Sequence, residues 1–292
     1  MFYLLADRAK LLIVWEALRG ARRFCEFKRN LRLSDGALSG RLSDLVTFGV
    51  LRRTRYKEHP PRSEYTLTEM GAGFWRVGMA VWEWQRIWGT DVDVPKLVHD
   101  GCAPMDSADF GCAACDRPGL NHHALRIEWL TPTEMPVPKS AETSFRYRKS
   151  STRSERWANW GELSVVIGDR WALNLIAQAL LGVTRFAEFE RRLAVSPAQL
   201  SQRLSDLVDH QFLKRVPTTD GGSHQHYLLR RKSCDLIPVL LTNGAWVRRW
   251  FAASDGPQVS IWHETCGQEL EPDWWCGVCH QRLSGGDVLL QR

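Results

Sequence analysis

Arg41-Leu42-Ser43-Asp44-Leu45-Val46 returns as Arg203-Leu204-Ser205-Asp206-Leu207-Val208, 162 residues further along the chain (203 − 41). The neighbours keep that register. Phe24 and Phe27 correspond to Phe186 and Phe189, Tyr65 to Tyr227, and Trp84 and Trp88 to Trp246 and Trp250. A period this long marks a duplicated domain, since solenoid repeats are only a few tens of residues. In the second copy Leu200, Leu204, Leu207 and Val208 recur at i, i+4, i+7 and i+8, one apolar stripe of a helix. Gln199, Gln202, Arg203 and Asp206 share the opposite face. Ser196, Pro197 and Gln199 read as a capping box with proline at the first helical position. Phe186, Phe189 and Leu193 form a second pattern ending just upstream, so two helices meet across Ala194-Val195. That is a helix-turn-helix whose later helix is the candidate reader of DNA.

Two strands follow each reader. Leu213 to Val216 and Gln225 to Leu228 flank Asp220-Gly221-Gly222, a hairpin signal. Leu51 to Tyr56 and Ser63 to Leu67 flank the basic stretch from Lys57 to Arg62. Helix-turn-helix plus hairpin is a winged helix. At Gly168-Asp169-Arg170-Trp171, Leu200-Ser201-Gln202-Arg203-Leu204, Leu38-Ser39-Gly40-Arg41-Leu42 and Pro60-Pro61-Arg62-Ser63-Glu64-Tyr65-Thr66-Leu67-Thr68-Glu69-Met70-Gly71, the chain resembles the HxlR family of bacterial transcriptional regulators. The lead-in Ala6-Asp7-Arg8-Ala9 keeps only the middle pair of the family's Gly-x-x-Trp segment. The resemblance implies sequence-specific binding of double-stranded DNA. It places Ser39, Arg41, Gln199, Ser201, Gln202 and Arg203 on the reading helices, and Arg55, Lys57 and Arg62 on the first wing. Family members are homodimers whose long helix after the wing forms much of the interface.

Length and composition agree with this class. A chain of 292 residues holds roughly two ordinary domains, and 44% hydrophobic with 25% charged residues is a globular composition. A net charge of +6 and a pI near 9.0 suit a polyanionic partner. The run Leu11 to Trp15 is far short of the ~20 residues of a membrane span, and Met1 to Ala6 lacks a basic leader, so a cytoplasmic protein without membrane contact is expected. The expected fold is mainly α with small β wings: a winged helix over 1–90, a zinc-ribbon-like module over 97–129, a linker over 130–156, a second winged helix over 157–252 and a second module over 260–292.

The modules rest on cysteine spacing. His99-x2-Cys102-x9-Cys112-x2-Cys115 has a counterpart in His263-x2-Cys266-x9-Cys276-x2-Cys279, which hold six of the eight cysteines. Cys3His is a closed tetrahedral set of structural type, so two structural zinc ions are expected, one within each stretch. Free buried thiols and a redox dithiol are the alternatives, and His122, His123 and His280 are near enough to replace a histidine ligand. Cys25, beside Phe24, reads as a small core residue. Thr68 to Trp88 reads as one long helix whose tryptophans pack a core, with self-association through these helices and a small hydrophobic effector between them as further roles. The linker turns basic at Arg146, Arg148, Lys149, Arg153 and Arg156.

Position then decides what each reader does. Gln199 and Gln202 suit adenine, and Arg203 guanine or phosphate; the alternative for Arg41 and Arg203 is an ion pair inside the domain. The first copy has Ala37 and Gly40 where the second has Gln199 and Gln202, yet its wing is the more basic. The expectation is one chain acting as a pseudo-dimer on a two-part, asymmetric operator. A protein-interaction or zinc/redox-responsive scaffold is the alternative. An enzyme is not expected: a zinc deaminase requires His-x-Glu and Pro-Cys-x-x-Cys, whereas Gly111 and Trp275 precede the two Cys-x-x-Cys pairs.

Overall fold

The computed structural model describes residues 4–57, 62–89, 94–120, 122–129, 161–217, 225–251 and 259–290. The wing tips, the side chain of His122, residues 157–160 and the whole expected linker lie outside the described residues. The first repeat runs α1 (Arg8–Leu18), α2 (Phe24–Leu31), α3 (Asp35–Thr47), β1 (Leu51–Lys57), β2 (Arg62–Leu67), α4 (Glu69–Ala72) and α5 (Trp75–Trp88). After it come β3 (Leu97–His99), β4 (Pro104–Met105), β5 (Ala108–Cys112), β6 (Arg117–Pro118) and β7 (Leu125–Trp129). The second repeat gives α6 (Arg170–Leu180), α7 (Phe186–Leu193), α8 (Pro197–Asp209), β8 (Leu213–Pro217), β9 (Gln225–Leu229), α9 (Arg231–Cys234) and α10 (Ile237–Trp250). It ends in β10 (Val259–His263), β11 (Gln268–Glu269), β12 (Pro272–Cys276) and β13 (Val288–Leu290).

Local chemistry sets these boundaries identically in both copies. The Asp7 carboxylate accepts from the Ala9 and Lys10 amides and starts α1; Asp169 does the same for α6 through Trp171 and Ala172. Arg32 and Ala194 end the next helices in the left-handed conformation, at φ 51° and 47°. Two residues later Ser34 and Ser196 cap the reading helices by accepting from Ala37 N and Gln199 N. Leu38, Leu42 and Leu45 are buried on one face of α3, and Leu200, Leu204 and Leu207 on the same face of α8. The expected long helix from Thr68 is instead two. Thr68 caps the single turn of α4, the chain re-aims through Gly73 and Phe74, and α5 begins at Trp75. Gly71 lets that turn lie against β1, because a Cβ there would sit 2.2 Å from the Val50 carbonyl oxygen.

The repeats face each other across a pseudo-two-fold axis. Helices α5 and α10 pack together, and their tryptophans bond reciprocally. Trp84 Nε1 donates to the Lys232 carbonyl, and Trp246 Nε1 to the Met70 carbonyl, both at 2.8 Å. Those residues are each other's equivalents at an offset of 162, which makes the contact isologous, like a homodimer interface within one chain. Asp7 and Asp169, also equivalents, pair as an antiparallel bridge on the axis. The symmetry is imperfect. Trp88 Nε1 donates to Asp235, but Gly73 stands at the equivalent place, and Trp250 Nε1 is buried without a hydrogen-bond partner among the described residues. Trp84 and Trp246 are thus covered within this one chain, at 2% and 6% exposed.

Beyond these helices the strands of the two repeats interleave. Antiparallel β5 and β12 pair with Phe110 opposite Trp274, equivalents at the offset of 164 that the His/Cys stretches keep. β10 pairs with β7, and β13 with β3, so all three small sheets contain strands of both repeats. The interleaved unit is fixed to α5 by a buried acid. Asp273, 1% exposed, accepts from Arg76 (2.8 and 3.1 Å) and from Arg282 (2.8 and 2.6 Å), while Trp274 Nε1 donates to the Arg76 carbonyl.

Candidate nucleic-acid interface and metal-ligand groups

Each reading helix presents a polar face opposite its leucines. On α8, Gln199, Ser201 and Gln202 are exposed, and Gln202 Nε2 donates to Asp206 at 2.9 Å. The capping half of the Gln199 expectation is met by its backbone amide, and its side chain lies at the surface. On α3, Ser39 and Gly40 are exposed. Arg55, Lys57 and Arg62 are exposed along the first wing together with Arg52. Arg53 is exposed as well and lies along the hairpin, donating to Ser63 and sitting over the Tyr65 ring.

Of the two roles open to the arginines of the repeated hexapeptide, DNA contact and an ion pair inside the domain, the structure shows the ion pair in both repeats. Arg203 Nε lies 2.7 Å from Asp169 Oδ2, and both side chains are only 14% exposed. Arg41 Nε lies 3.4 Å from Asp7 Oδ1, and its Nη1 donates to the Ala37 carbonyl. The reason is the N-cap. Asp7 and Asp169 each bring a carboxylate against the reading helix, and a guanidinium nearly two turns into that helix forms an ion pair with it. The Asp-Arg pairing therefore locks the first helix to the reader in both repeats. Lys10, bonded to Asp44 at 2.8 Å, adds a second tie in the first repeat.

The eight expected metal ligands assemble into two groups of four, but not as grouped by stretch. His99 and Cys102 meet Cys276 and Cys279; Cys112 and Cys115 meet His263 and Cys266. Within each group every ligand atom lies within 4.8 Å of the others. His99 Nδ1 is 3.2 Å from Cys279 Sγ, and His263 Nδ1 is 3.5 Å from Cys115 Sγ and 3.2 Å from Cys266 Sγ. A tetrahedron with the usual Zn–S and Zn–N bond lengths has edges of about 3.4–3.8 Å, close to these separations. Strand direction explains the exchange. Antiparallel β5 and β12 put Cys112 opposite Pro272 and Cys276 opposite Ala108, so each Cys-x2-Cys turn is carried away from its own His-x2-Cys turn toward the other repeat's. Burial, then the neighbouring Cys266 and Cys112 thiols, push the Cys115 thiol up to about 11. A divalent cation reverses that preference, because coordinated thiols ionise outright.

His123 and His280 are exposed and belong to neither group; His280 reaches toward Asp109 instead, at 3.9 Å. Cys25 is exposed, contrary to its expected core role, because Phe27 and Leu31 set the inward face of α2 and Cys25 falls off it. Between α5, α10 and β5 a half-open cavity of about 160 Å³ is lined by Trp84, Ile87, Phe110, Pro238 and Trp274. No described helix is long and apolar enough to cross a membrane.

The family profile described as HxlR-like helix-turn-helix matches residues 4–93 and 166–255, both winged helices, and stops short of the His/Cys strands. Rv3095 of Mycobacterium tuberculosis (strain ATCC 25618 / H37Rv), an uncharacterized HTH-type transcriptional regulator, is 28% identical over 128 residues, or 44% of this chain and 81% of its own. YvaP of Bacillus subtilis (strain 168), likewise an uncharacterized HTH-type transcriptional regulator, is 36% identical over 86 residues, or 29% of this chain and 80% of its own. The solved chain PA1607 aligns with 48% of this chain and 96% of itself, at 31% identity and a TM-score of 0.41. With both winged helices matched, the chain belongs to the HxlR-like helix-turn-helix family and is a DNA-binding transcriptional regulator carrying two such domains in tandem.

Proposed function

We propose that one chain acts as a pseudo-dimer on a two-part, asymmetric operator. The observation that carries this reading is the reciprocal pair of bonds from Trp84 to the Lys232 carbonyl and from Trp246 to the Met70 carbonyl. Two winged helices related by an internal two-fold present their reading helices as a homodimer does, and two-fold symmetry calls for half-sites about one helical turn apart. The half-sites are read differently. Gln199, Ser201 and Gln202 of α8 supply base-edge donors and acceptors. The first reader offers Ala37, Ser39 and Gly40, and that half-site is held through phosphate and groove shape by Arg55, Lys57 and Arg62. Arg41 and Arg203 position the readers from within.

The two Cys3His groups hold zinc as structural ions in this reading. Their ligand types and spacing fit a closed four-ligand site, which leaves no open position for a substrate or an activated water. A non-catalytic regulator follows, working in the cytoplasm where thiols stay reduced. Footprinting with systematic base substitution tests the operator. The expected result is two protected tracts, one sensitive to base identity and one tolerant; a palindrome equally sensitive in both halves would contradict the reading.

A further inference from the structure

We infer that the two metal centres couple the two winged helices: each is completed only by both repeats, and metal loading sets how the two readers stand relative to each other on DNA. The inference rests on the zinc reading above and extends it to regulation. Each centre takes a His-x2-Cys turn from one repeat and a Cys-x2-Cys turn from the other. A metal at either centre is therefore a cross-link between repeats. Among the described residues, no single repeat supplies a four-ligand set within the assembled geometry.

The cross-links connect to the DNA-binding halves. Cys276 ends β12, and in that strand Asp273 holds Arg76 of α5 while Trp274 donates to the Arg76 carbonyl. Glu83, on the same helix, accepts from the Ala108 amide at the start of β5, the strand that ends in Cys112. Helix α5 in turn packs on α10, and each follows its own wing. A rigid path thus runs from the metal-bearing strands through the Trp helices to both winged helices. With metal bound, the interleaved strands are held at two points on opposite ends of the β5–β12 ladder. Without it, three short sheets hold them, each with an edge strand of only two residues, too little for independent stability in water.

The test uses the full chain and zinc counting. The parent should carry two zinc ions. Cys102→Ser with Cys276→Ser strikes one shared centre twice, and one zinc should remain. Cys102→Ser with Cys112→Ser strikes both centres, and none should remain. Should the latter fail to fold, Cys115→Ser with Cys266→Ser provides the second comparison, again with one zinc expected. Ligand sets confined to one repeat give the opposite pattern, which would overturn the shared centres. Zinc-stripped parent is then footprinted on the operator. Loss of the two-part footprint, with at least a tenfold weaker affinity restored by added zinc, is the expected result. An unchanged footprint and affinity overturn the coupling alone. A parent that binds no zinc overturns the zinc reading itself, and the coupling with it.

Discussion

Replacing Arg203 with alanine separates structure from readout at the most conspicuous residue of the repeat. Its Nε lies 2.7 Å from Asp169, and both side chains are largely buried. A charge-assisted bond of this kind is worth about 1.5–3 kcal/mol. Asp169 keeps its two amide donors from Trp171 and Ala172, so its carboxylate is not orphaned by the change. The loss should sit near the lower part of the range, about 2 kcal/mol. For a cooperative unit of this size that lowers Tm by roughly 4–8 °C. Arg41→Ala should cost less, about 1 kcal/mol, because its pair is longer and its side chain more exposed. Thermal unfolding of both variants, with Asp169→Asn completing a double-mutant cycle, reads the difference. DNA binding at permissive temperature should keep its base preference. An Arg203→Ala protein as stable as the parent that loses preference at one base pair would refute the locking role and restore a base-reading arginine.

Gln202→Ala should cost about 1–3 kcal/mol of operator affinity and relax preference at one position of the sensitive half-site, as measured by titration against substituted duplexes. Arg62→Ala and Arg55→Ala should weaken binding to all sequences alike, each lowering the slope of log affinity against log salt by about 1. Arg76→Ala or Arg282→Ala should each cost about 1–2 kcal/mol, since the other arginine still serves Asp273. The double variant leaves that buried carboxylate unpaired and should cost roughly 3–5 kcal/mol in denaturant unfolding. Equal costs for single and double variants would show that the arginines do not share one acid.

Most of the winged-helix architecture was legible in the sequence because local chemistry alone specifies it. Leucines at helical spacing, serine caps and the 162-residue register place α3, α8 and both wings without tertiary information. The ligand types were legible for the same reason, since Cys-x2-Cys and His-x2-Cys turns are local. Which turn meets which was not, because that depends on β5 and β12 pairing antiparallel between residues more than 150 apart, and strand pairing leaves no spacing signature. The ion pair of Arg203 is hidden from the sequence on similar grounds. The position of Arg203 on the polar face of α8 is visible, but not that the cap of a helix some thirty residues earlier lies against it. A signal was present: Asp7 and Asp169 repeat at the offset of Arg41 and Arg203, and a repeated acid with a repeated base marks a pair inside each repeat. The break at Gly73 and the outward face of Cys25 reflect packing against β1 and the core, which periodicity alone does not resolve.

The mass of the complex between the full chain and a duplex carrying one footprinted operator tests the central claim most directly. One chain per operator is predicted, protecting both tracts, with base substitutions felt in one tract more than in the other. Two chains per operator, each covering one tract with equal sensitivity, would contradict it.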